Sequence, residues 1–178
     1  MKITLPDTCL VILCGPAACG KSSFARRHFK STQIVSSDHC RAMITDSEAA
    51  IWVSPWAFEL FHEIIRLRLR FKKLTVADST ALGKSARADL RRLARIAGVP
   101  AILIVFNVTK ETCLARDKSR DRQVGDDIVA DHIQKLHRAI NDIRNERYEA
   151  VYVLDEKEMD EVKIRRTRKR RTNTEHRT

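Results

Sequence analysis

The chain has 178 residues, 43% hydrophobic and 32% charged, with a formal net charge of +11. That is one domain of ordinary size, with apolar material for a core burying roughly 70% of the unfolded surface. No run of about 18 apolar residues occurs, and Met1–Pro6 lacks a signal peptide's apolar stretch, so a soluble cytoplasmic protein with no membrane partner is expected.

The charge is uneven: residues 163–178 carry +7 and residues 1–162 only +4. A domain over 1–162 followed by a disordered basic tail or linker over 163–178 is therefore expected. Arg165-Arg166-Thr167-Arg168-Lys169-Arg170-Arg171 could hold nucleic acid nonspecifically or simply be a solvated linker.

In chain order, Thr8 to Cys14 is a short apolar run leading into a glycine turn, as a central parallel strand does. A helix is expected from Lys21. Further short apolar runs lie at Gln33–Val35, Leu74–Ala77, Ala101–Phe106 and Val151–Leu154, each separated by enough chain for a helical crossover. Behind Pro55, a good first-turn residue, Trp56, Leu60, Ile64, Leu67 and Phe71 recur every three or four positions. Ala86, Leu90, Leu93 and Ile96 do the same before Gly98 and Pro100 end that helix. The fold class is α/β: an open, mostly parallel five-stranded sheet with helices on both faces and ligands at the strands' carboxyl ends.

Between the first of these strands and its helix stands Gly15-Pro16-Ala17-Ala18-Cys19-Gly20-Lys21-Ser22, a P-loop pattern. Gly15 and Gly20 permit the turn that points backbone amides at phosphate oxygens. Lys21 brings charge to the β- and γ-phosphates, Ser22 offers a hydroxyl to Mg²⁺, and the helix dipole adds partial positive charge. ATP or another nucleoside triphosphate, with Mg²⁺ or Mn²⁺, is the expected ligand.

Five cysteines, with no C-x-x-C pair, read as reduced thiols. Cys19, before a helix N-terminus, is either a reactive thiol or a small filler. His28, His39, His62, His132 and His137 have no partnered ligands at zinc spacing.

Val35-Ser36-Ser37-Asp38 delivers Asp38 to the P-loop edge, where it could take a proton from an acceptor hydroxyl or cap the next helix. Arg41, three residues on, could pair with Asp38 or with a substrate phosphate. Asp78, closing Val76-Ala77-Asp78-Ser79-Thr80, could hold a Mg²⁺-bound water or cap the next segment. Arg116 and Arg120, four apart, could clamp a triphosphate from a lid, although Asp117 and Asp121 also suit a solvated helix.

With the P-loop, Asp38-x-x-Arg41, Asp78-Ser79-Thr80 and Arg116-x-x-x-Arg120-x-Arg122-Gln123-Val124 assembled, the chain resembles the 5′-hydroxyl polynucleotide kinase domain of bacterial polynucleotide kinase-phosphatases, enzymes of RNA end repair. The resemblance runs from Lys2-Ile3-Thr4-Leu5-Pro6 to Tyr152-Val153-Leu154. It implies phosphate and metal binding by Lys21 and Ser22, and a general base at Asp38. It further implies an acceptor contact at Arg41 and lid arginines at Arg116 and Arg120. It implies as partners 5′-hydroxyl RNA or DNA ends, and fused or associated phosphatase and ligase modules that this chain does not contain. The loop is poorer in glycine and serine than the family's, and Ala81 stands where its D-x-T-N signature has asparagine. Trp52 and Trp56 are candidates for base stacking, with Trp56 expected in the core from its helical stripe. Two other readings are a small-metabolite or antibiotic kinase, and a nucleotide-dependent nucleic-acid-binding module that transfers nothing.

Overall fold

A computed structural model describes residues 1–167. Strand β1 (Lys2–Pro6) alternates, with Ile3 and Leu5 buried between exposed Lys2 and Thr4. Strand β2 (Leu10–Cys14) is buried at every position, and helix α1 (Lys21–His28) comes after it. Next come β3 (Ile34–Ser36), α2 (Ser37–Thr45), α3 (Ser54–Arg70) and β4 (Thr75–Asp78). They lead to α4 (Lys84–Ile96), β5 (Ala101–Phe106), α5 (Lys110–Lys118) and α6 (Asp126–Ile143). The described chain ends with β6 (Ala150–Leu154), α7 (Glu156–Glu161) and β7 (Lys163–Thr167).

The main sheet has the order β3-β4-β2-β5-β6, and all its pairings are parallel. The five expected strands are these five, each within about two residues of its expected start and end. Along the β2 segment, side chains divide strictly by parity. Cys9, Val11 and Leu13 enter one core with Phe24 of α1 and Cys113 of α5. Leu10, Ile12 and Cys14 enter the other, with Phe61 of α3 and Leu90 of α4. A strand with helices on both faces must be apolar on both, which is why it reads as a continuous run.

Three expectations need correction. The basic tail does not begin at 163: Lys163–Thr167 form β7, paired in parallel with β1 from Lys2↔Lys163 to Pro6↔Thr167. The backbone amides and carbonyls of β1 find partners there, Ile164 packs against the core, and the cations stay in water. Residues 168–178 lie outside the described residues.

The stripe on α3 is displaced by one position. Pro55 stands in the first turn as expected, but the buried residues are Ala57, Phe61, Ile65 and Leu69. Trp56 is 55% exposed and so is not a core residue; one position corresponds to a turn of about 100° around the helix. On α4, Ile96 is exposed while Arg87, Leu90 and Ala94 face inward.

Candidate phosphate-transfer site

The parallel register brings the candidate residues to one edge. Asp78 lies beside both Leu13 of β2 and Ser36 of β3, so the loop after β2, the start of α2 and the end of β4 converge. The amide of Gly15 donates to the Thr80 carbonyl at 3.0 Å, joining the glycine loop to the segment after Asp78.

The loop from Gly15 to Ser22 has the expected strand–turn–helix setting. Gly20 caps α1 in the left-handed region at φ 102°, and Ala18 also adopts a positive φ of 60°. Pro16-Ala17-Ala18-Cys19 thus takes a sharp turn without glycine at its tip, storing about 1–2 kcal/mol of backbone strain at Ala18. Gly15 is held by close approach: an added Cβ would lie 2.9 Å from Phe106 Cβ and 3.0 Å from Cys19 Sγ. At Gly20 an added Cβ would meet Met159 Cε at 3.0 Å and Arg116 Nη1 at 3.3 Å, in a backbone conformation that only glycine adopts freely. Gly20→Ala is therefore expected to weaken nucleoside triphosphate binding by at least about tenfold, from about 1–3 kcal/mol of strain, in a fluorescent-nucleotide titration.

Lys21 is buried, and its Nζ donates to the carbonyls of Gly15 at 3.0 Å and Pro16 at 2.6 Å. The ammonium is thus held inside the loop's own concavity. Cys19 is fully buried and packs in the core, which settles it as a filler whose thiol no reagent reaches without local opening. The other four cysteines are also free and buried. Burial pushes Cys9 and Cys113 up to about 12, and Cys14 and Cys40 to about 11. His132 on α6 adds a contact that its sequence position did not announce: its Nδ1 accepts from the Ala17 amide at 3.2 Å. Burial, and then the charges of Lys21 and Lys135, lower its proton affinity, which keeps that nitrogen an acceptor.

Asp38 is not a cap. Ser36 caps α2, its hydroxyl accepting from the His39 amide at 3.3 Å, and Asp38 stands in the first turn with a half-exposed side chain. One carboxylate oxygen accepts from Arg41 Nη2, and the other from Arg122 Nη1 at 3.3 Å. Arg41 is buried, and its Nε also donates to the Glu48 carbonyl at 2.8 Å, tethering the segment between α2 and α3. That segment carries Trp52, which is 73% exposed. Sequence motifs gave Arg122 no role of its own; its spacing from Arg116 and Arg120 was the available signal.

Asp78 does not cap either, because α4 begins after Gly83 with no side-chain cap. Its carboxyl is buried, and burial raises its proton affinity against the opposing Ser22 hydroxyl and Lys21 charge. Ser22 and Asp78 supply the hard oxygen donors that Mg²⁺ or Mn²⁺ takes, and a desolvated carboxylate beside an exposed hydroxyl fits such an ion. Because the folded form holds its proton more tightly, the charged state is penalised at neutral pH and unpenalised below the ordinary carboxylate range. Asp78→Asn is expected to raise Tm at pH 7, with the gain vanishing as the pH falls toward that range in a thermal-melt series. Ala81, at φ 44°, instead presents its carbonyl to Arg87 at 3.1 Å.

The expected lid is built differently from a single helix face. Helix α5 ends at Lys118, so Arg116 lies on it and Arg120 in the turn beyond. Asp117 is fully buried rather than solvated, and its carboxylate accepts from the Val124 amide (3.0 Å) and the Gly125 amide (3.1 Å). That contact folds the turn back, while Lys118, Arg120 and Asp121 are exposed. Arg116 Nη1 donates to the Cys19 carbonyl at 2.8 Å. A cleft of about 310 Å³ opens over the loop, lined by Gly20, Arg27, Arg116, Arg120 and Met159 among others.

A family model described as an AAA domain matches residues 10–143. The chain belongs to that family. No curated protein sequence matches it. Among solved structures, the Pnkp1/Rnl/Hen1 RNA repair complex aligns with a TM-score of 0.66 at 19% identity, over 77% of this chain and 46% of that one. This chain therefore spans less than half of that protein's chain. A putative kinase from Chloroflexus aurantiacus aligns with a TM-score of 0.60 at 14% identity, over 89% and 90% of the two chains. Shikimate kinase from Bacteroides thetaiotaomicron aligns at 0.53 and 13%, over 86% and 93%. At these identities the likeness establishes a P-loop kinase-like fold for this AAA-domain chain. Among the described residues no helix is long and apolar enough to cross a membrane.

Proposed function

We propose that this chain transfers the γ-phosphate of ATP, or of another nucleoside triphosphate, to the 5′-hydroxyl of an RNA or DNA end. The observation carrying this reading is the carboxylate of Asp38, held between Arg41 and Arg122 at the sheet edge that bears the P-loop. A carboxylate with both oxygens oriented by guanidinium groups suits a proton acceptor of fixed direction. The exposed indole of Trp52 on the tethered segment supplies a flat apolar surface for a terminal base. The resemblance in sequence motifs and the fold likeness to an RNA repair protein point the same way.

In the reaction the P–O bond between the γ-phosphorus and the bridging oxygen breaks, and one to the 5′ oxygen forms. Asp38 receives the hydroxyl proton, and the nucleoside diphosphate leaves. Lys21, Arg116 and Arg120 offset charge on the transferring group, and Arg41 positions the acceptor end. Ser22 and Asp78 are the residues that would hold Mg²⁺ or Mn²⁺, which would supply further neutralisation of charge on the phosphates. A cytoplasmic setting, with fused or associated phosphatase and ligase modules, completes the proposal.

Labelled phosphate transfer from ATP tests it, with paired 5′-hydroxyl RNA and DNA oligonucleotides alongside sugars and nucleosides. Label in the oligonucleotides is expected. Label in small acceptors only, or transfer to none, overturns the reading.

A further inference from the structure

Helix α4 starts at the site edge, six residues after Asp78, and runs back to the opposite edge, where Ala101 opens β5 beside Leu10. At that far end lies a groove of about 480 Å³, lined by Arg91, Arg92, Arg95 and Arg147 over a floor that includes Ala94 and Val99. No acid lines it. Glu146 approaches Arg91 at 3.8 Å, but its carboxylate is buried and accepts from Arg87 at 2.7 Å and from Tyr148 at 2.7 Å. Arg91 Nε is consequently buried without a hydrogen-bond partner, while its guanidinium lies 5.3 Å from the Tyr148 ring centroid. Arg92 has only a loose contact to Asp89 at 3.7 Å, and Arg95 and Arg147 have no ion-pair partner among the described residues.

We propose that this groove is a second binding site, taking the phosphodiester backbone and bases of a single-stranded nucleic acid. The chemistry favours that occupant over a compact anion. Four guanidinium groups over a small apolar floor offer both phosphate contacts and flat faces on which bases stack. Lys84 begins the same helix near the site, and Arg91, Arg92 and Arg95 stand in its last turns, with Asp89 and the buried Arg87 between them. The helix's 13 residues span about 20 Å. A strand whose end sits at Asp38 can therefore reach the groove only if it is longer than that. The link between the two sites rests on the proposed function; binding in the groove itself does not.

The test is fluorescence anisotropy of the full chain with 5′-phosphorylated oligonucleotides of about 12 and about 3 nucleotides, which carry no transferable 5′-hydroxyl. Arg95→Glu/Arg147→Glu changes two exposed side chains, with retained folding checked by thermal melting, and Lys30→Glu/Lys110→Glu makes the same charge change elsewhere. The expected result for the longer strand is at least about tenfold weaker binding at 0.1 M salt, with the log–log salt slope reduced by about 1.4. The shorter strand, with fewer phosphates to seat in the groove, is expected to lose less, and the control variant to show little change with either strand. Unaltered binding of the long strand to the groove variant, or an equal loss in the control, overturns the proposal. Because no transfer is measured, a failed kinase assay leaves this result readable, and a failed groove leaves the kinase reading intact.

Discussion

Asp38→Ala is expected to lower phosphate transfer to a 5′-hydroxyl oligonucleotide by about 10²–10⁴-fold, the usual contribution of a positioned general base. Nucleoside triphosphate affinity is expected to stay near wild type, because Asp38 does not line the cleft over the P-loop. The fold should survive. The Asp38 side chain is half exposed, and its pair with the partly exposed Arg122 is of a kind that contributes only about 0–1 kcal/mol, while the buried Arg41 loses one acceptor. Arg41 keeps its bond to the Glu48 carbonyl when Asp38 is lost. Asp38→Asn separates two roles for the carboxylate. The amide oxygen can still accept from Arg41 or Arg122 but cannot take a proton at neutral pH, so a base predicts that Asn is as inactive as Ala. An anchor for the two arginines predicts that Asn retains most activity. A folded Asp38→Ala protein with near wild-type turnover in single-turnover kinetics would sink the assignment.

The largest stability effect is expected at Arg87, far from any sequence motif. Its guanidinium is fully buried and donates to Glu146 Oε1 at 2.7 Å from Nη2, and to the Ala81 and Leu82 carbonyls at 3.1 and 2.7 Å from Nη1. Arg87→Met leaves Glu146 buried beside an apolar side chain, costing about 3–5 kcal/mol. In a domain of this size, Tm should fall by roughly 6–20 °C. The two carbonyls also lose their donor, and they belong to the loop after Asp78, so transfer activity should fall with stability.

The double variant Arg87→Met/Glu146→Leu removes both charges and should recover most of the lost Tm. Burial pushes the Glu146 carboxyl up, but hydrogen bonds from Arg87 and Tyr148 and the Arg87 charge hold it below the usual range. A depressed carboxylate contributes stability above its unfolded value and loses it as pH falls through the folded one. Acid melts of the double variant should therefore lack the Glu146 component present in the wild-type chain. Equal melting of wild type and Arg87→Met would exclude this account.

The P-loop was legible because its requirements are local. Eight consecutive residues, a five-residue apolar strand before them and a helix after them set the backbone turn and its charges. The five main strands were legible for a similar reason: a parallel strand buried on both faces must be apolar at every position. Asp38 and Asp78 were expected at one edge because strand ends in such a sheet face it, and the register places both of those ends there. Their competing roles as helix caps were settled only by the backbone around Ser36 and Gly83.

Other features depended on partners distant in sequence. Arg87, which no sequence motif singles out, has its reason to be inside in Glu146, 59 positions away. The pairing of Arg122 with Asp38 spans 84 positions. In β7 the basic residues concealed a strand, since the pairing comes from the backbone and the charged side chains remain in water. Trp56 was misplaced because a stripe one residue off keeps the same period, and only the neighbours of α3 select which edge is covered.

The amino-acid sequence by itself determined that a P-loop pattern sits between a buried strand and a helix in a parallel α/β sheet, because those features arise from neighbouring residues. Tertiary structure alone decided which charges stand together: Asp38 with Arg41 and Arg122, Arg87 with Glu146, and four arginines around a distal groove. The balance of desolvation against pairing that governs each charge is set by the fold.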